Sequence, residues 1–156
     1  MFLAVLTSRA GPASLVSESV RILIVDGFEP FRKSTCSWFN RQPGFHVVGE
    51  AMDGLEAIQK AQELAPDLVV LDIGLPKLNG IEVARKIRAV SSEPKILFLT
   101  GNDYPQIASE AFRAGADGYV IKLDAEDELL AAVEAVLAGR CYVSKKLARH
   151  GLTGDA

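Results

Sequence analysis

No apolar run in the sequence approaches the ~20 residues needed to span a bilayer. Met1 to Leu6 (MFLAVL) is apolar, but it is shorter than a signal-peptide core and has no basic leader. Cysteine is scarce: Cys36 and Cys141 are the only two, and neither sits in a metal-binding or redox spacing. An excess of basic charge is missing too, since the net charge is −3, so the chain is not built to coat nucleic acid or an anionic membrane. Internal repeats and low-complexity tracts are absent. Together these absences predict a cytoplasmic location. What is present is 49% hydrophobic and 24% charged residues over 156 positions. That suffices for one domain with a sizeable core and is too short for two ordinary ones.

The hydrophobic pattern alternates between short apolar runs and amphipathic stretches. Arg21 to Val25 (RILIV), Phe45 to Gly49, Leu68 to Leu71, Lys95 to Leu99 and Tyr119 to Ile121 have the unbroken apolar character of strands covered on both faces. Between them, 3.6-residue periodicity predicts helices over Pro30–Arg41, Leu55–Leu64, Ile81–Val90, Pro105–Ala114 and Ala125–Ala138. The predicted inward faces include Leu55, Ile58, Ala61 and Ala65 in the second helix, and Leu129, Leu130, Val133, Val136 and Leu137 in the last. Five strands alternating with five helices predict an α/β fold, a doubly wound parallel sheet with helices on both faces.

Four polar residues follow strands directly. Asp26, Asp72, Thr100 and Lys122 close strands one, three, four and five. In a parallel sheet those ends share one edge, where open α/β folds place their ligands. Any one of the four could cap a loop, but together they gather two carboxylates, a hydroxyl and an ammonium around one crevice.

This set resembles the receiver domain of two-component response regulators, of the type often followed by a helix-turn-helix domain. The resemblance covers Val20 to Gly139. It rests on ILIVD at Ile22 to Asp26, LDIGLPKLNGIE at Leu71 to Glu82, LTG at Leu99 to Gly101 and GADGYVIK at Gly115 to Lys122. It implies a flavodoxin-like, three-layer sandwich around a five-stranded sheet of order 2-1-3-4-5. It also implies a phosphoacceptor switch rather than an enzyme. Asp72 would take a phosphoryl group from a histidine kinase or phosphotransfer protein, a step that needs mainly positioning and charge neutralisation. Mg²⁺ would be held by Asp26, Asp72 and the backbone carbonyl of Gly74. Lys122 would pair with the acceptor, Thr100 would move to bond the phosphoryl group, and Tyr119 would swing inward behind it. The altered surface of helix four, strand five and helix five would then meet an output protein, or a second copy in a homodimer.

Two positions depart from the family's pattern. Gly27 stands where a second acidic residue usually follows Asp26, which predicts weakened Mg²⁺ binding, with Glu29 in the same loop as the candidate replacement. Its absence raises an alternative, a pseudo-receiver that binds partners without phosphorylation. Leu123 replaces the proline common after the lysine, which predicts a trans or a strained cis bond there. An aspartyl-phosphate hydrolase would want an acid two residues after Asp72, where Gly74 stands. A flavin site is disfavoured by Glu29 where a phosphate would lie. Residues 1–19 read as a flexible arm, 20–139 as the receiver and 140–156 as a C-terminal tail with no output domain. The tail's Lys145, Lys146, Arg149 and His150 read as solvated charge, so direct DNA binding is not expected.

Overall fold

A computed structural model describes residues 19–154; all but the last residue of the expected N-terminal arm lies outside the described residues. The elements run β1 (Val20–Val25), α1 (Glu29–Arg41), β2 (Phe45–Ala51), α2 (Gly54–Leu64), β3 (Leu68–Leu71), α3 (Gly80–Val90), β4 (Lys95–Thr100), α4 (Pro105–Arg113) and β5 (Gly118–Ile121). A single 3₁₀ turn (Lys122–Asp124), α5 (Ala125–Leu137), β6 (Tyr142–Val143) and α6 (Lys145–Ala148) follow. All strand pairs are parallel, and the order is β2-β1-β3-β4-β5-β6.

The expected order 2-1-3-4-5 is therefore the body of the sheet, and the count of five is corrected to six. β6 was not expected because two residues carry no periodicity. Its hydrogen bonds come from β5, with Tyr142 opposite Gly118 and Val143 opposite Tyr119.

The apolar runs form strands because alternate residues feed two cores. Leu23, Val25, Val69, Leu71, Ile96, Phe98, Tyr119 and Ile121 face α2, α3 and α4. Ile22, Ile24, Leu68, Val70, Leu97, Leu99 and Val120 face α1 and α5. Each fully buried Leu or Ile contributes roughly 1.5–3 kcal/mol relative to exposure, so burial on both faces fixes the register. Two helix faces differ from expectation. Leu55 and Leu130 are exposed, and Ala57 and Ala132 are wholly buried instead, because close packing on the sheet selects small side chains at the contact line.

Two glycines set the strand ends in place. A Cβ on Gly80 would lie 2.1 Å from the Asp72 carbonyl oxygen, and one on Gly54 would lie 2.1 Å from that of Leu78. The loop after β3 thus folds tightly against the starts of α2 and α3. Asp53 and Asn79 cap those helices by accepting from the Glu56 and Glu82 amides at 2.8 and 3.0 Å.

Candidate functional site

At the carboxyl edge of the sheet, β1 and β3 are hydrogen-bonded neighbours, so Asp26 and Asp72 emerge side by side. Lys122 leaves β5 two strands away and reaches back between them. Its Nζ lies 2.8 Å from Asp26 Oδ2 and 3.0 Å from Asp72 Oδ2, and 4.4 Å from the centre of the Phe31 ring on α1. The second oxygens are also held: Asp26 Oδ1 accepts from the Phe28 amide at 2.8 Å, and Asp72 Oδ1 from the Ile73 amide at 2.7 Å. Both carboxylates are therefore fixed in direction. Burial works against the charged form of Lys122, but hydrogen bonds and charge from Asp26 and Asp72 outweigh it and raise the pKa above that of an ordinary lysine.

Thr100, 2% exposed, ends β4 beside this group, and its Oγ1 accepts from the Asn102 amide at 3.4 Å. Tyr119 is inward in this structure: the ring is fully buried and its hydroxyl donates to the Asn102 carbonyl at 2.8 Å. A buried phenol needs such a partner, and the ring lies 6.0 and 6.4 Å from those of Phe98 and Phe112. Burial, followed by the negative charge of Asp72, pushes the tyrosine pKa well above its usual value.

Glu29 is exposed in the first turn of α1, and among the described residues no three His, Cys, Asp or Glu side chains converge as a metal cluster. Gly74 is exposed in the loop after Asp72. Two carboxylates share one ammonium here, leaving the rim net negative. Their oxygens are of the kind Mg²⁺ accepts, one or two protein carboxylates at a time. The residues present fit the ion, with one charged ligand fewer than an acidic residue in place of Gly27 would supply.

Several contributors escaped prediction. Arg32 is buried in α1, donates to the Asp26 carbonyl at 2.8 Å, and pairs with Glu50 at 2.9 Å. It braces the backbone under Asp26, yet no spacing in the sequence links the two. Phe31 is another: nothing in the sequence marks its ring as the one that meets Lys122. At the departure after Lys122 the chain is trans, as are all described peptide bonds, and Leu123 is exposed in the 3₁₀ turn.

The family model for the response regulator receiver domain matches residues 22–134. A Pseudomonas aeruginosa protein provisionally named a transcriptional regulator is 43% identical over 119 residues, 76% of this chain and 57% of that protein. The nitrate/nitrite response regulator NarL of Escherichia coli is 32% identical over 130 residues, 83% of this chain and 60% of its own. The chain thus spans about three-fifths of the length of the curated relatives it matches. Among solved structures, a LuxR-family two-component response regulator from Aurantimonas superposes with a TM-score of 0.81 at 40% identity, covering 85% of this chain and 94% of that one. The response regulator domain of Thermotoga maritima CheB gives 0.72 at 30% identity, covering 78% and 98%. These comparisons lend no support to the phosphorylation-independent alternative.

Proposed function

The chain belongs to the response regulator receiver family, and from that premise we propose that it is the phosphoacceptor switch of a two-component pathway, phosphorylated on Asp72. As a member of that family it is a signalling module rather than a metabolic enzyme. The observation that carries the proposal is Lys122 Nζ bridging Asp26 and Asp72 at 2.8 and 3.0 Å, with Thr100 at the adjoining strand end. A solvated lysine would gain nothing from that arrangement. A nucleophilic carboxylate receiving a phosphoryl group gains a fixed counter-charge.

An Asp72 oxygen attacks the phosphorus of a phosphohistidine on the donor kinase or phosphotransfer protein. The N–P bond breaks, its electron pair stays on the departing imidazole, and an acyl phosphate forms. Lys122 remains protonated throughout and pairs with the new oxygens, while the Thr100 hydroxyl donates to one of them. Asp26, Asp72 and the Gly74 carbonyl would hold Mg²⁺, which would supply further charge neutralisation. The site would work in the cytoplasm, where such donors and Mg²⁺ are available. Because relatives carry the names of transcriptional regulators, DNA is a candidate partner of the whole protein, a revision of the sequence expectation. The basic cluster at 145–150 adds little to it, since Lys146 is already paired with Asp103.

Incubation with acetyl phosphate and Mg²⁺, read by intact mass, tests the proposal. Wild type gains one phosphoryl group and Asp72→Asn gains none. Equal labelling of the two, or no labelling of wild type, overturns it.

A further inference from the structure

The segment after Gly139 is built into the fold rather than trailing from it. Gly139, in the left-handed region at φ 83°, turns the chain out of α5, and β6 then pairs along the otherwise free edge of β5. The Ser144 amide donates to the Tyr119 carbonyl at 2.9 Å, and the wholly buried Ser144 hydroxyl accepts from the Ile121 amide at 2.9 Å. Leu147, also fully buried, packs in the same cluster as Tyr119, Ile121 and Phe112. On the other side, buried Glu128 of α5 accepts from the Lys145 amide at 3.4 Å. A merely solvated tail would bury neither Ser144 nor Leu147.

Two ties run from this strap to the loop that follows Thr100. Lys146 Nζ donates to Asp103 Oδ2 at 2.7 Å. Tyr119, whose backbone holds Ser144, sends its hydroxyl to the Asn102 carbonyl at 2.8 Å. Asn102 is in turn tied to Thr100 through its amide. The loop carrying Asn102 and Asp103 is thus held at one end by the residue beside Asp72 and at the other by the strap.

We propose that Arg140 to Leu152 is the output strap of the switch, held on the β5 edge through Asp103 and Tyr119 and released when Thr100 turns to a phosphoryl group on Asp72. This rests on the reading of Asp72 as phosphoacceptor. Turning the Thr100 hydroxyl toward the phosphoryl oxygens gives up its contact with the Asn102 amide. The loop then shifts away from both strap contacts, and the strap is freed from the β5 edge. Linkage makes the effect reciprocal: whatever loosens the strap must tighten the site for a phosphoryl mimic by the same factor.

The test uses the full chain and its Lys146→Gln variant, with Mg²⁺ and beryllofluoride as the phosphoryl mimic. Amide hydrogen exchange at Ser144 and Ile121 and equilibrium beryllofluoride affinity are both measured. In wild type, saturating beryllofluoride should speed exchange at both amides by up to about fivefold, the upper end of what one exposed ion pair supplies, with β1 and β3 unchanged. Lys146→Gln should show the faster exchange without ligand and bind beryllofluoride more tightly, by up to about fivefold. Loss of a positive charge alone would weaken anion binding, so the sign discriminates. Binding by wild type with unchanged exchange, or weaker binding by Lys146→Gln, overturns the strap while leaving Asp72 as acceptor. No binding by wild type overturns the Asp72 reading and the strap's output role with it.

Discussion

Replacing Gly27 with aspartate puts a second carboxylate directly after Asp26, and the structure sets both its cost and its gain. A Cβ there would lie 3.2 Å from Pro76 Cδ and 3.3 Å from the Met52 carbonyl oxygen. Those contacts are tight, but Pro76 is in an exposed loop and can yield by a few tenths of an ångström. Gly27 is not among the positive-φ glycines, so aspartate meets no backbone strain. Loss of glycine's freedom in the unfolded chain adds about 0.4–1 kcal/mol of stability, which offsets the low end of the ~1–3 kcal/mol that crowding costs. Folding without metal should therefore change little, apart from repulsion between the new carboxylate and Asp26. Metal binding should change more. Supporting ligands around a metal are worth 10–100-fold in affinity, so a direct charged ligand should tighten Mg²⁺ by at least about tenfold. At saturating ion this raises unfolding stability by a further ~1.4 kcal/mol. Calorimetric Mg²⁺ titration, with urea unfolding at fixed Mg²⁺, reads both quantities. Glu29→Ala removes an exposed side chain in the first turn of α1 and should leave the wild-type titration unchanged. Equal Mg²⁺ affinity in wild type and Gly27→Asp would refute the reasoning, as would a large loss in Glu29→Ala.

Gly80→Ala drives a methyl into the Asp72 carbonyl, where a Cβ has only 2.1 Å. It should cost about 3 kcal/mol or more in urea unfolding and abolish labelling of Asp72. Tyr142 is pushed up to about 12 by burial and then by the charge of Glu128. Its folded pKa lies above the unfolded value of about 10, so its stabilisation is complete below pH ~10 and is lost as pH rises toward 12. The raised pKa of Lys122 acts in the same direction. Stability should therefore fall across this alkaline window, less steeply in Tyr142→Phe, as followed by far-UV circular dichroism. Burial, then the charge of Glu50, pushes the Cys36 thiol up to about 11. Cys36 should resist iodoacetamide near pH 8 while exposed Cys141 reacts, and peptide mapping after a short pulse would show which is labelled.

The body of the sheet was legible because strands buried on both faces leave continuous apolar runs, and RILIV and LVVL could be little else. Asp26, Asp72, Thr100 and Lys122 were legible for a topological reason: parallel strands bring their ends to one edge whatever the loops do. Contacts that depend on side-chain direction were not. Arg32 bracing Asp26 joins a helix face to a strand end with no sequence spacing to mark it. The inward position of Tyr119 depends on one carbonyl, that of Asn102, offered by a loop. Glu29 had a long enough arm on paper, yet its place in the first turn of α1 leaves it in solvent. β6 is invisible in sequence because Tyr142 and Val143 gain their order from β5, held by the Tyr142 and Ser144 amides donating to the Asp117 and Tyr119 carbonyls and by the buried Ser144 hydroxyl.

The central claim is that the carboxylate of Asp72, fixed by Lys122, carries the phosphoryl group. Borohydride reduction after treatment with acetyl phosphate and Mg²⁺ converts an acyl phosphate to an alcohol, and peptide mass mapping then locates it. The reduced residue should be Asp72, with labelling strongly diminished in Lys122→Ala. Reduction at any other carboxylate, or undiminished labelling of Asp72 in Lys122→Ala, would contradict the account.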